Sequence, residues 1–186
     1  MKLFFIRHGK TAGNFEKRYI GVTDEPLCEE GRAFLKTKHV PAADYVIVSP
    51  MRRCLETAEL LYPGQKSVIC HDLRECDFGD FEGKNYLELS GDPDYQRWID
   101  SGGTLPFPGG ERPEDFKQRC IDAFEAIVHA YASADSLAFV VHGGTIMAVL
   151  EKYALPKKNY YDFHVENGCG YAADFDGKAI LITKEL

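Results

Sequence analysis

The chain has 186 residues, 45% of them hydrophobic and 27% charged, a balance that supports one packed domain and excludes a disordered chain. Its formal net charge of −7 argues against nucleic acid or an anionic membrane as partner, because both demand basic faces. The six cysteines form no CxxC pair, so they read as reduced cytoplasmic thiols rather than a zinc site or a redox motif.

The opening run Lys2-Leu3-Phe4-Phe5-Ile6 reads as a buried strand. Arg7 interrupts it after only four apolar residues, whereas a signal peptide needs about 7 to 15 and a membrane helix about 20; neither secretion nor a membrane span is expected. The strand breaks into Arg7-His8-Gly9-Lys10-Thr11, a loop with a cation, an imidazole and a flexible glycine. In open α/β sheets the ligand crevice lies outside the carboxyl ends of the strands, so this loop is a candidate site.

Further strands are expected at Tyr45 to Val48, Ser67 to Cys70, Leu137 to Val141, Tyr171 to Phe175 and Ala179 to Thr183. Most are continuous apolar stretches, as strands buried on both faces are. Helical patterns alternate with them, which predicts an α/β three-layer sandwich: a mostly parallel central sheet with helices on both faces. Ser49-Pro50 reads as a cap and first helical residue, followed by Met51, Leu55, Ala58 and Leu61 at helical spacing. That places Arg53 in the first turn, near the strand ends. From about Asp80 to Arg112 the character changes to short helical pieces and many turn residues, read as an insertion that caps the pocket of a single domain spanning 1–186. Pro113 then opens an amphipathic helix whose stripe of Phe116, Cys120, Phe124, Ile127, Val128 and Tyr131 is core. After the last long apolar run, His142-Gly143-Gly144-Thr145 opens a helix over Ile146 to Ala154, and its free amides and positive dipole end suit an anion.

Each chemistry-bearing residue also has a bland reading. An Arg-His pair after a strand is commonly a surface or salt-bridged pair, and Asn14 is equally a turn residue. By position, Asp77, Asp80 and Glu82 are alternatives to Glu75 for a carboxylate role. Arg52 reads as a solvated or ion-paired neighbour of Arg53, and His39, His71 and His129 have no motif context. No pair of histidines or cysteines has ligand spacing, so no metal is expected.

Taken together, the pieces carry a resemblance. Arg7, His8, Gly9, Thr11 and Asn14 match a pattern RHGxTxxN; Gly21, Asp24, Pro26, Leu27 and Gly31 follow as a glycine and DxPLxxxG. Ser49 to Ala58 is similar to SxLxRAxxTA, which aligns Arg53 and not Arg52 with a phosphate-binding arginine. Leu73 to Gly83 resembles LREIDFGxWEG and selects Glu75, and Val141-His142-Gly143-Gly144 resembles a second histidine block. In this order the blocks resemble the histidine phosphatase, or phosphoglycerate mutase-like, superfamily over nearly the whole chain. Lys10 departs from the glutamate common in that family, and Cys28 from a threonine.

The resemblance implies a phosphomonoesterase working through a phosphohistidine, without metal or cofactor. His8 would be the nucleophile, Glu75 the general acid and base, and His142 a third catalytic group; Arg7, Asn14, Arg53 and Gly143 would bind the phosphate. Arg7 and Arg53 would supply local positive charge in an acidic molecule, since an ion pair at about 4 Å outweighs distant screened charges. The segment 80–112 holds few cations but several rings, Phe81, Tyr86, Tyr95, Trp98 and Phe107, which favours a small-molecule substrate with aromatic character over phosphoglycerate. With the Leu105 to Glu111 loop and the ending Phe163 to Cys169, the chain resembles the α-ribazole phosphatase branch, whose substrate is α-ribazole 5′-phosphate in cobalamin assembly. A benzimidazole stacked on the cap rings and rings that merely pack the cap remain equal readings. A broad-specificity phosphatase, a phosphoglycerate mutase and a non-catalytic phosphate-binding module are the alternatives.

Overall fold

The computed structural model describes residues 1–186. Seven strands form one sheet: β1 (Lys2–Arg7), β2 (Tyr45–Val48), β3 (Ser67–Ile69), β4 (Ser136–Val141), β5 (Ala154–Leu155), β6 (Gly170–Phe175) and β7 (Ile180–Glu185). Their order is β3-β2-β4-β1-β6-β7-β5, and only β6 runs against the rest. Six α-helices connect them: α1 (Ala12–Phe15), α2 (Glu29–Lys36), α3 (Arg52–Leu61), α4 (Pro93–Asp100), α5 (Pro113–Ala130) and α6 (Gly143–Tyr153).

Alternation along the strands builds the three layers. Leu3 and Phe5 of β1, with Leu137, Phe139 and Val141 of β4, join Phe124 and Ile127 of α5 and Ile146, Val149 and Leu150 of α6 on one face. Phe4, Ile6, Val46, Val48, Ala138 and Val140 meet Cys54 and Ala58 of α3 on the other. Both faces of β1 and β4 are therefore apolar, and each fully buried Phe, Leu or Val contributes about 1.5–3 kcal/mol of transfer free energy. The expected fold class is the one observed.

Register is what positions the site. Ile6 pairs with Val140 and Arg7 with Val141, while Val48 pairs with Val140. The carboxyl ends of β1, β2 and β4 consequently stop in one row, and their next residues, His8, Ser49 and His142, leave the sheet side by side. The His8 amide still donates to Val141 O (2.9 Å) and the Ser49 amide to Val140 O (3.2 Å).

Several strands start or end one residue from the sequence reading, and four element boundaries differ in a way that bears on the fold. The helix after β2 begins at Arg52, with Met51 at the N-cap and no side-chain cap, so Pro50 is not its first residue; the Ser49 hydroxyl is engaged elsewhere. α6 begins three residues earlier than expected, at Gly143 with His142 as N-cap, because two glycines tolerate a helical turn as well as a loop. Ala154–Leu155 is a short strand beside β7 and not a helix end. The final strand is Ile180–Glu185, its polar last residues extending beside β6.

Between Gly79 and Arg112 the chain forms a 3₁₀ turn (Gly79–Phe81) and α4, the latter capped by Asp92, whose carboxylate accepts from the Asp94 and Tyr95 amides. Its interior is aromatic. Phe81 lies edge-on to Tyr95 (5.4 Å) and Phe107 (6.0 Å), and Trp98 lies 5.3 Å from Phe107.

Candidate active site

The row of strand ends brings the two histidines together: the His8 and His142 rings are 5.2 Å apart, edge to face. Both are buried. His8 Nδ1 lies 2.7 Å from Gly9 O, and a carbonyl can only accept, so Nδ1 carries the proton and Nε2 keeps its lone pair. Burial, and then the charges of Arg53 and Arg7, hold the His8 imidazolium well below its ordinary range, and His142 is lowered by the same burial and by Arg53. His8 is therefore neutral, with Nε2 unprotonated.

His142 is held by a residue that sequence reasoning missed. Ser49 Oγ lies 2.7 Å from His142 Nε2 and also takes the Met51 amide at 3.5 Å. The Met51 amide fills one lone pair of Oγ, which leaves the hydroxyl proton free to be donated to Nε2; a ring proton on Nδ1 is the tautomer that uses it. The only available signal was a serine at the end of the neighbouring strand.

Arg53 is fully buried on the first turn of α3. Its Nη atoms donate to Thr23 O (2.8 Å) and Gly21 O (2.8 Å), which fixes the guanidinium and leaves Nε without a partner. Arg7 is similar: Nη1 donates to Val165 O at 2.8 Å, and Nε is buried without a partner. Two guanidinium groups, one fully buried and one half-buried, each with a buried Nε donor that has no partner, fit an anion, since each unmet buried donor costs about 1–3 kcal/mol that an incoming oxygen recovers. The Gly143 amide, as the first of α6, has no acceptor within the helix.

Glu75 is half-buried, and its carboxylate accepts from the Cys76 amide (3.0 Å) and the Gly144 amide (3.4 Å). Burial pushes its pKa up, partly offset by the Cys76 N–H and by Arg53 and Arg7. Of the alternatives, Asp77 accepts from Gly79 N and Glu82 from the Gly21 and Thr23 amides, so both serve loops, while Asp80 is exposed. Asn14 divides its roles. Its Oδ1 accepts from Thr11 N (3.2 Å) and Asn167 Nδ2 (3.1 Å) as a capping group of α1, which leaves Nδ2 unengaged.

Arg52 is exposed and ion-paired with Glu56 at 2.8 Å. His39, His71 and His129 lie on the surface. Lys10 is exposed, and Cys28 caps α2 through its sulfur, 3.3 Å from Gly31 N. No group of three His, Cys, Asp or Glu side chains is placed to hold a metal ion, and no helix is long and apolar enough to cross a membrane.

A cavity of about 470 Å³ has Arg7, Glu75, Gly143 and Gly144 in its wall; His8, Arg53 and His142 are buried behind these residues and do not line it. Of the five rings expected over it, Trp98 and Phe107 line it; Phe81 and Tyr95 pack within the 80–112 segment and Tyr86 is exposed. Tyr19, Phe78, Phe116, Tyr160 and Tyr161 complete the aromatic wall, so Phe116 is a lining residue as well as core. Lys117 is paired with Glu151 at 2.7 Å.

Residues 3–184 match the family model for the histidine phosphatase superfamily (branch 1). The chain is 29% identical to the adenosylcobalamin/alpha-ribazole phosphatase of Salmonella typhimurium over 97% of its own length and 94% of that protein's. It is 31% identical to a 2,3-bisphosphoglycerate-dependent phosphoglycerate mutase of Gloeobacter violaceus, over 80% and 73%. Among solved structures it resembles the alpha-ribazole phosphatase of Shigella flexneri (TM-score 0.85, 26% identity, 98% and 95% covered). The phosphoglycerate mutase of Thermus thermophilus is also similar (TM-score 0.78, 29% identity, 100% and 98% covered).

Proposed function

Since this chain belongs to the histidine phosphatase superfamily, branch 1, we propose that it hydrolyses small-molecule phosphomonoesters through a phosphohistidine formed at His8. Phosphatase activity in general is supported by the family and by the relatives named above. The observation that carries the mechanism is the unprotonated Nε2 of His8 beside two arginines whose buried Nε–H groups have no partner.

In the first half-reaction His8 Nε2 attacks phosphorus, the N–P bond forms, the P–O ester bond breaks, and Glu75 gives its proton to the departing alkoxide. In the second, Glu75 takes a proton from water, the resulting hydroxide attacks phosphorus, and the N–P bond breaks. The raised pKa of Glu75 suits the first role at neutral pH. Arg7 and Arg53 through Nε, Asn14 through Nδ2, the Gly143 amide and His142 through Nδ1 stabilise the equatorial oxygens as charge develops.

For the physiological substrate we favour α-ribazole 5′-phosphate. The aromatic walls of the cavity suit a planar base, each ring pair adding about 0.5–1.5 kcal/mol beyond burial, and the chain's relatives include alpha-ribazole phosphatases. A phosphoglycerate carboxylate would compete with Glu151 for Lys117, which disfavours a mutase.

The test is a panel of phosphomonoesters ranked by kcat/KM, including α-ribazole 5′-phosphate and 3-phosphoglycerate, with acid-quenched trapping of phosphate on the enzyme. The expected outcome is hydrolysis, fastest for the ribazole ester, label on His8, and no turnover by His8→Ala. Isomerisation of 3-phosphoglycerate would overturn the choice of phosphatase. Binding of phosphate without turnover by the wild type would make the protein a phosphate-binding module.

A further inference from the structure

Arg119 lies on α5, off its apolar stripe, yet its side chain is only 13% exposed, and that of its partner Glu111 only 18%. The two form a forked pair: Arg119 Nε donates to Glu111 Oε1 at 2.9 Å and Nη2 to Oε2 at 2.8 Å. The remaining donors reach one loop. Nη1 donates to Asp72 O (2.6 Å) and Arg74 O (3.1 Å), and Nη2 approaches Glu75 O at 3.5 Å. Glu111 returns to the same loop, its Oε2 accepting from the Asp77 amide at 3.4 Å while its own amide donates to Asp77 O at 2.9 Å. The guanidinium plane also rests on the Phe116 ring, 5.2 Å from its centroid, and Phe116 lines the cavity.

We propose that the Arg119–Glu111 pair is a positioning device for the general acid. It binds the backbone of residues 72–77 and so sets the place from which the Glu75 carboxyl reaches the leaving oxygen. This rests on the reading of Glu75 as proton donor. The physical case is that the loop has no regular secondary structure to define it beyond a single 3₁₀ turn (His71–Leu73), and three of its carbonyls converge on one planar fork. Lysine, with a single charged nitrogen, does not reproduce five donors in fixed directions. Glu111 belongs to the loop that closes the 80–112 segment, so the acid and the cavity roof share one anchor.

The experiment compares kcat/KM for phenyl phosphate, whose leaving group needs a proton, and 2,4-dinitrophenyl phosphate, whose leaving group does not, because this constant covers every step through departure of the alcohol. Glu75→Gln serves as reference. Arg119→Met is expected to lose about tenfold to hundredfold with phenyl phosphate, part of the 10²–10⁴ typical of general acid–base catalysis, and less than about threefold with the dinitrophenyl ester. Arg119→Lys should recover little of the loss. Equal losses with both esters would mean general damage to the fold and would overturn the proposal while leaving Glu75 as acid. If Glu75→Gln itself shows no leaving-group dependence, the acid assignment fails and the proposal with it. Should Arg119→Met not fold, Glu111→Gln removes one arm of the fork and is read by the same two rates.

Discussion

At the scale of single residues the site works by assigning each hydrogen-bonding atom one job. The Gly9 carbonyl consumes the Nδ1 proton of His8, the Ser49 hydroxyl occupies Nε2 of His142, and backbone carbonyls occupy one outer nitrogen of Arg7 and both of Arg53. What remains free is the set that an incoming phosphoryl group needs. The pH dependence follows from the opposite shifts of His8 and Glu75. His8 must be neutral and its pKa lies well below 6.5, while Glu75 must be protonated and lies above 4.5. The plot of kcat/KM against pH should therefore peak on the acid side of neutrality, and its alkaline limb should vanish in Glu75→Gln; a profile still rising at pH 8 would contradict the assignment. Ser49→Ala frees the His142 ring, and an activity loss of about 10- to 100-fold is expected, below the 10²–10³ typical for removal of an oxyanion donor itself. Steady-state kinetics on a generic aryl phosphate measures both. Neither Ser49 nor Asn167 was legible in the sequence, since each acts on a residue 93 to 159 positions away.

At the scale of elements, strand ends and helix starts do most of the positioning, and these follow local rules. Continuous apolar runs make doubly covered strands, and Pro113 at the first position opens α5. The site carboxylate is different, because it sits between two irregular loops pressed together. Gly79 has φ of +53°, and a Cβ there would collide with the Pro108 carbonyl oxygen. Gly79→Ala must therefore push the 107–110 loop away. A destabilisation of about 1–3 kcal/mol is expected in urea unfolding, of the order of backbone strain at such positions. KM should rise as well, because Phe107 leaves the cavity wall; an unchanged KM would show that this loop does not shape the pocket. The aromatic content of 80–112 was readable, but not which rings face the cavity, because α4 and the turns around it decide that separately for each ring. Arg119 was equally hidden: off the apolar stripe of an amphipathic helix, an arginine reads as solvated.

At the scale of the whole molecule, an acidic chain of net charge −7 shelters a cationic centre, and folding bears its cost. His8 and His142 are buried neutral, so below about 6.5 the unfolded chain takes up protons that the folded chain refuses, and stability falls as the pH drops. Glu75 has the opposite sign of titration. Its folded pKa is raised above 4.5, so the folded state holds a proton that the unfolded chain has released, and this group's contribution erodes as pH rises through its folded value. Glu75→Gln is therefore expected to raise Tm at pH 7 while lowering activity, and to leave Tm at pH 4 almost unchanged. A lower Tm at pH 7 would mean that the charged carboxylate stabilises the two arginines by more than its burial costs. Calorimetry at the two pH values separates these outcomes.

The sequence alone determined the layered fold and the identity of Arg7, His8, Arg53, Glu75 and His142 as the residues to inspect. Strand length and apolar continuity are local properties and give the fold, while the family resemblance of the ordered blocks singled out Arg53 from Arg52, and Glu75 from Asp77, Asp80 and Glu82. Only the tertiary structure decided which nitrogen of His8 is free, that Ser49 serves His142 rather than a helix end, and which rings wall the cavity. Those depend on pairing between atoms far apart in the chain, and pairing is set by strand register and by loops meeting in space.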